Sequence, residues 1–126
     1  MTPIVYDAGV LIAADRSERR VWAEHRVRLE AGFLPLVPAP VVAQASRSPH
    51  QVQMRRLLRG CEVVAFDEAN AHRAGALLGK SRTKDVVDAS VAALAIRRRA
   101  DIVTDDPDDI VRLLAAAHAK LAVLDV

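Results

Sequence analysis

Five short runs of β-branched and aliphatic residues punctuate the chain: Ile4-Val5-Tyr6, Leu34-Pro35-Leu36-Val37, Glu62-Val63-Val64-Ala65, Asp101-Ile102-Val103-Thr104 and Leu121-Ala122-Val123-Leu124. Each reads as a strand. Between them, apolar positions recur at helical spacing around Val21 to Leu29, Val52 to Leu58, Ala69 to Leu78, Val86 to Ile96 and Ile110 to Ala117. Strand alternating with helix predicts an α/β fold with three layers, α/β/α, around a central parallel sheet of roughly four to five strands. The Val86 to Ile96 segment is apolar nearly all round, interrupted by Asp88 and Ser90, and predicts a buried helix. A carboxylate at position 88 therefore needs a reason. Pro107 fits the first position of a helix, with Asp106 as its N-cap, and the Pro49-containing stretch from Ser46 to His50 reads as a turn.

A length of 126 residues predicts one domain, residues 1–126. Hydrophobic residues make up 52% and charged residues 27%, enough to bury a core and too little net charge for disorder. The single cysteine, Cys61, excludes an intramolecular disulfide; a reducing, cytoplasmic setting is expected, with the thiol as inert core. The stretch from Phe33 to Ala43 holds three prolines and falls short of the ~20 residues of a membrane helix. Asp7 and the missing basic flank argue against an export signal, so no membrane partner is expected. Net charge is only +2, yet fifteen arginines stand against three lysines. Guanidinium forks suit phosphate or an acidic partner, although a coding bias toward arginine explains the excess equally well. Four aromatic residues, Tyr6, Trp22, Phe33 and Phe66, are too few for a base-stacking platform.

In open α/β sheets, ligands collect beyond the carboxyl ends of the strands. Asp7 directly follows the first strand, and Asp105 and Asp106 directly follow the fourth; Asp85 and Asp88, three apart, open the buried helix on one face. Crowded carboxylates take up protons unless a cation neutralises them. A hard divalent ion, Mg²⁺ or Mn²⁺, prefers such oxygen ligands and keeps open positions for a phosphate oxygen and a water, which points to phosphodiester hydrolysis.

At these residues the sequence resembles the PIN-domain family, specifically the VapC toxins: Val5-Tyr6-Asp7-Ala8, Asp85-Val86-Val87-Asp88-Ala89 and Val103-Thr104-Asp105-Asp106-Pro107-Asp108-Asp109 are similar to its motifs. The resemblance implies a Mg²⁺-dependent endoribonuclease of a toxin–antitoxin pair, a homodimer with RNA as substrate, silenced by a cognate VapB antitoxin. It places Asp7, Asp88 and Asp106 at the acidic metal-site positions and Thr104 at the accompanying hydroxyl position. One position departs. The family usually carries a glutamate in the helix after the second strand, where Pro38-Ala39-Pro40-Val41-Val42-Ala43-Gln44 offers Gln44. An amide oxygen brings no charge, so metal affinity should drop, with Asp85 or Asp105 as substitutes for the missing charge.

Simpler roles compete at several positions. Asp7 suits a strand-end turn, Asp85 an N-cap, and Asp108 and Asp109 the acidic first turn of a helix. The arginines Arg97-Arg98-Arg99 suit a helix C-terminus; Arg55-Arg56-Arg59 and Arg16-Arg19-Arg20 suit either phosphate or partner contact or a solvated face. The histidines His25, His50, His72 and His118 lack paired ligand spacing and read as surface or helix residues, without zinc. No glycine-flanked serine elbow or glycine-rich phosphate loop is present. Two rivals stay in view. One is a PIN-like binding protein that has lost turnover with the glutamate; the other is a phosphoacceptor receiver domain, which lacks its aspartate and lysine at the required strand ends.

Overall fold

The computed structural model describes residues 2–126. Five strands, β1 (Ile4–Tyr6), β2 (Leu36–Pro38), β3 (Glu62–Val64), β4 (Asp101–Thr104) and β5 (Val123–Asp125), alternate with helices. Helices α1 (Ala8–Asp15) and α2 (Arg19–Glu30) follow β1; α3 (Ala39–Ala45) and α4 (Val52–Arg59) follow β2. Helices α5 (Glu68–Ser81) and α6 (Val86–Arg98) follow β3, and α7 (Pro107–Ala116) follows β4. All pairings are parallel, in the order β3-β2-β1-β4-β5. The expected three-layer α/β/α architecture is the observed one.

Burial follows from that order. The central strand β1 is buried throughout, and β4 is buried at Ile102, Val103 and Thr104, so both read as continuous apolar runs covered on two faces. The edge strands β3 and β5 are largely exposed. Right-handed crossovers put α1 to α4 on one face and α5 to α7 on the other. Accordingly α1 packs on α2, α3 and α4, while α5, α6 and α7 pack on one another.

Strand order reverses between β1 and β4, whose register pairs Tyr6 with Val103. The crevice at their carboxyl ends is therefore the ligand position of this topology. A receiver has the order 2-1-3-4-5 instead, so that rival fails on topology as well as on residues.

Three local expectations are corrected. The second strand starts at Leu36, because Pro35 has no N–H to give and Leu34 is exposed. The fifth starts at Val123, where its ladder with β4 begins. His25, read as a surface or helix position, lies on α2 and is buried, with Nδ1 2.9 Å from the Tyr6 hydroxyl. Cys61, expected in the core, is half-buried against it; it donates to the Leu57 carbonyl and has its thiol pushed up to about 12 by burial. Among the described residues no helix is long and apolar enough to cross a membrane.

Candidate metal centre

The chain leaves β1 through Asp7, whose backbone N–H still donates to the Val103 carbonyl across the β1–β4 crevice. Asp7 is also the N-cap of α1: its Oδ1 accepts from the Ala8 N–H at 2.7 Å. Its Oδ2 accepts from the Thr104 hydroxyl at 2.6 Å. That hydroxyl in turn accepts from the Asp106 N–H at 3.0 Å, so one buried oxygen ties the end of β1 to the end of β4. Asp7 is thus both a turn residue and a wall of the crevice. Burial raises its pKa, and the nearby Asp105 and Asp85 carboxylates add to the rise against the Thr104 and Ala8 hydrogen bonds.

Asp105 lies across the start of α1. A Cβ on Gly9 would fall 2.5 Å from its carboxyl carbon, so the glycine is what permits the approach.

Asp85 caps α6, its Oδ1 accepting from the Asp88 N–H at 3.0 Å. Asp88 is only 7% exposed, which answers why an apolar helix carries it: the side chain points to the other acids. Its pKa is raised to about 7, first by burial and then by the charges of Asp85, Asp7, Asp106 and Asp109.

Asp106 holds the N-cap position of α7, but its side chain makes no capping bond. The expected cap is absent because its carboxylate faces the cluster, with its pKa raised by burial and then by Asp109. Asp109, expected only to favour the helix dipole, is three residues on and shares that face. One carboxylate oxygen each from Asp88, Asp106 and Asp109 lie within 4.8 Å of one another. The Asp106-x-x-Asp109 spacing was the available signal for that third residue. Asp108 remains an exposed helix-start acid.

Asp7 and Asp85 stand beside this group with oxygens already engaged by Thr104, Ala8 and Asp88. Gln44 lies on α3 with an exposed side chain and joins no hydrogen bond to these acids. A recess of about 230 Å³ opens from the cluster, lined by Asp85, Asp88 and Asp109 together with Lys84 and Arg112. Neither cation forms an ion pair with those carboxylates.

The donor set fits a hard divalent cation. All of it is carboxylate oxygen, with no thiolate or imidazole, and opposite ligands of an octahedral Mg²⁺ stand about 4.2 Å apart, close to the span of the cluster. Without a cation, burial and then the neighbouring carboxylates favour the protonated form of Asp88.

No curated protein matches the sequence. The fold is shared with VapBC2 from Rickettsia felis bound to a DNA fragment from its promoter: TM-score 0.72, 15% identity, 98% of each chain covered. It is also shared with DNA-bound VapBC from Salmonella typhimurium: TM-score 0.69, 14% identity, covering 99% of this chain and 98% of that one. FitAcB from Neisseria gonorrhoeae is a third, with TM-score 0.66, 16% identity and 96% of each chain. The family model described as PIN domain matches residues 4–116, from the first residue of β1 to the last of α7. With nearly the whole chain inside that match and the acids at its strand ends, this protein belongs to the PIN domain family.

Proposed function

We propose that this chain is the toxin of a VapBC-type pair, a Mg²⁺-dependent endoribonuclease that also accepts Mn²⁺ and is held inactive by a cognate VapB-type antitoxin. The observation that carries the reading is the meeting of Asp88, Asp106 and Asp109 at the crevice where strand order reverses. Those three residues would hold the cation, with Asp7 and Asp85 bordering it. A bound divalent ion polarises a phosphoryl oxygen and favours ionisation of a water. The chain's own part is positional. Thr104 fixes Asp7 and the Asp106 backbone in one hydrogen-bonded link. Lys84 and Arg112, unpaired at the recess, offset the repulsion between an acidic site and an anionic substrate. The VapBC and FitAcB likenesses support an antitoxin partner of the same kind.

The purified chain, freed of antitoxin, is expected to cleave RNA in Mg²⁺ and to stop on chelation, and Asp7→Asn should lower the rate by about 100-fold or more while the fold persists. Wild-type turnover in Asp7→Asn, or cleavage that survives chelation, would refute the reading. Replacing Arg112 with glutamine should raise KM for RNA several-fold, on the order of a lost charge-assisted hydrogen bond, with kcat nearly kept. Steady-state kinetics at two salt concentrations checks this.

Gln44 favours a second reading, a PIN-fold binding protein with weakened catalysis. Gln44→Glu should then restore charge near the ion and tighten Mg²⁺ binding about ten-fold by calorimetry. Unchanged binding would place position 44 outside the ion's reach.

A further inference from the structure

A slot of about 480 Å³ runs between α5 and α6 and ends at Ala117, just past α7; it shares no lining residue with the metal recess. On α5 its wall is one helical face, with Arg73, Leu77 and Lys80 in line and Ala76 between them. On α6 it is formed by Ala93, Ile96 and Arg97. The small side chains of Ala76 and Ala93 leave the space open, and Leu77 and Ile96 make it apolar. Its polar lining side chains are the three cations alone, and none of its lining residues is acidic or aromatic.

Two of those cations are drawn to one point. Asp67 caps α5 by accepting from the Asn70 N–H at 2.9 Å, and Asn70 Nδ2 donates to the Ala65 carbonyl at 2.8 Å, which fixes the amide and leaves its Oδ1 as an acceptor. That oxygen accepts from Arg73 Nη1 at 3.0 Å and from Arg97 Nη1 at 3.4 Å. Two guanidinium groups thus share a single neutral acceptor, although like charges at this range repel. Among the described residues no carboxylate pairs with either of them or with Lys80. The neighbouring Arg98 shows what is missing, because its guanidinium takes Glu62 at 3.4 Å. Each fork carries five N–H donors, far more than one shared amide oxygen can use.

We propose that this α5–α6 slot binds a medium-chain aliphatic carboxylate, with its carboxylate on the Arg73 and Arg97 forks and its hydrocarbon chain laid along Ala76, Leu77, Ala93 and Ile96 toward Lys80. Charge complementarity selects the anion, since planar guanidinium forks match carboxylate oxygens and no acidic wall competes for them. The apolar walls select the chain, which a bare inorganic anion would leave wet. Length follows from the helix: Lys80 lies two turns beyond Arg73, about 10 Å along the axis, a span that extended octanoate fills. An RNA segment fits less well, because the slot holds no aromatic ring for a base to stack on. The inference does not draw on the nuclease reading.

Octanoate titrated into the full, isotope-labelled chain below its micelle concentration is the test. Saturable shifts of the Ala76, Ala93 and Ala117 amide resonances are expected. Octan-1-ol should bind about ten-fold more weakly, for want of a charge-assisted pair, and acetate should leave those resonances in place at the same concentration. Ala76→Leu fills the slot, keeps every cation and should abolish the octanoate shifts. Arg97→Gln should cut octanoate affinity about ten-fold and leave octan-1-ol unaffected. Both positions are exposed and both replacements are good helix formers, so the fold is kept, and the comparison of octanoate with octan-1-ol needs no variant at all. Absence of saturable shifts, octan-1-ol binding as tightly as octanoate, or octanoate affinity unchanged in either variant would overturn the proposal. So would acetate matching octanoate, which would mean a charged surface without a slot.

Discussion

Asp88→Asn is expected to abolish cleavage and, in metal-free protein at pH 8, to make the fold more stable than the wild type. The two effects share a cause. Asp88 is buried among like charges, and its pKa in the folded chain is about 7 against an ordinary 3.8. Between those values the folded state binds a proton that the unfolded state has released. Stability from this group is therefore greatest below about pH 4, falls as pH rises toward 7, and is level above it. The ceiling is about 4 kcal/mol at 1.36 kcal/mol per pH unit, and relaxation and water entry at the recess reduce it to about 1–2 kcal/mol. Asparagine keeps the shape and removes the charge, so this penalty vanishes along with a metal ligand. Urea titrations in EDTA at pH 5 and pH 8 should show the wild type losing stability with pH and the variant losing less. Residual slope in the variant comes from Asp7 and Asp106, which are shifted in the same direction. Calorimetry with Mg²⁺ should find no binding to the variant. A wild type and variant with the same pH slope would show that Asp88 is not held against its charge.

Mg²⁺ reverses the sign of that dependence. A cation that binds the ionised carboxylates stabilises the folded state by mass action, and more so as pH rises and the acids deprotonate. The same residues that weaken the metal-free fold at pH 8 become its reinforcement in the loaded one. Buried like charges at a strand-order reversal are otherwise hard to reconcile with an ordinary stable core.

Local sequence made the sheet legible because its central strands are short, apolar and separated by helical periodicity. Two helices escaped it for opposite reasons. In α1, Ala8-Gly9-Val10-Leu11-Ile12-Ala13-Ala14-Asp15 is apolar on nearly every side, so no face stands out. In α3, seven residues that follow Pro38 and carry Pro40 as the second are too few and too proline-rich to show a period. The acids at strand ends were visible because topology, not distant contact, puts them in the crevice. Asp109 was not, since an acid in a helix's first turn already has a sufficient local explanation. His25 was hidden too. Its burial depends on Tyr6, nineteen residues away, and on α2 folding back over β1.

Asp109→Asn therefore separates the local explanation from the tertiary one. If Asp109 only favours the start of α7, losing its charge costs at most about 0.3–1 kcal/mol of stability and leaves Mg²⁺ affinity alone. Its contact with Asp88 and Asp106 leads to a different expectation: Mg²⁺ affinity falls on the order of 100-fold, and cleavage at low Mg²⁺ falls with it. Raising Mg²⁺ should recover much of the rate, because two carboxylates and the bordering acids remain. Asp108→Asn is the matched control, one residue away in the same turn, exposed and outside the cluster. Both variants lose the same charge near the same helix end, so a difference between them in the Mg²⁺ dependence of cleavage isolates ligation from the dipole. Equal Mg²⁺ dependence in the two variants would return Asp109 to a structural role and leave the ion to Asp88, Asp106 and their neighbours.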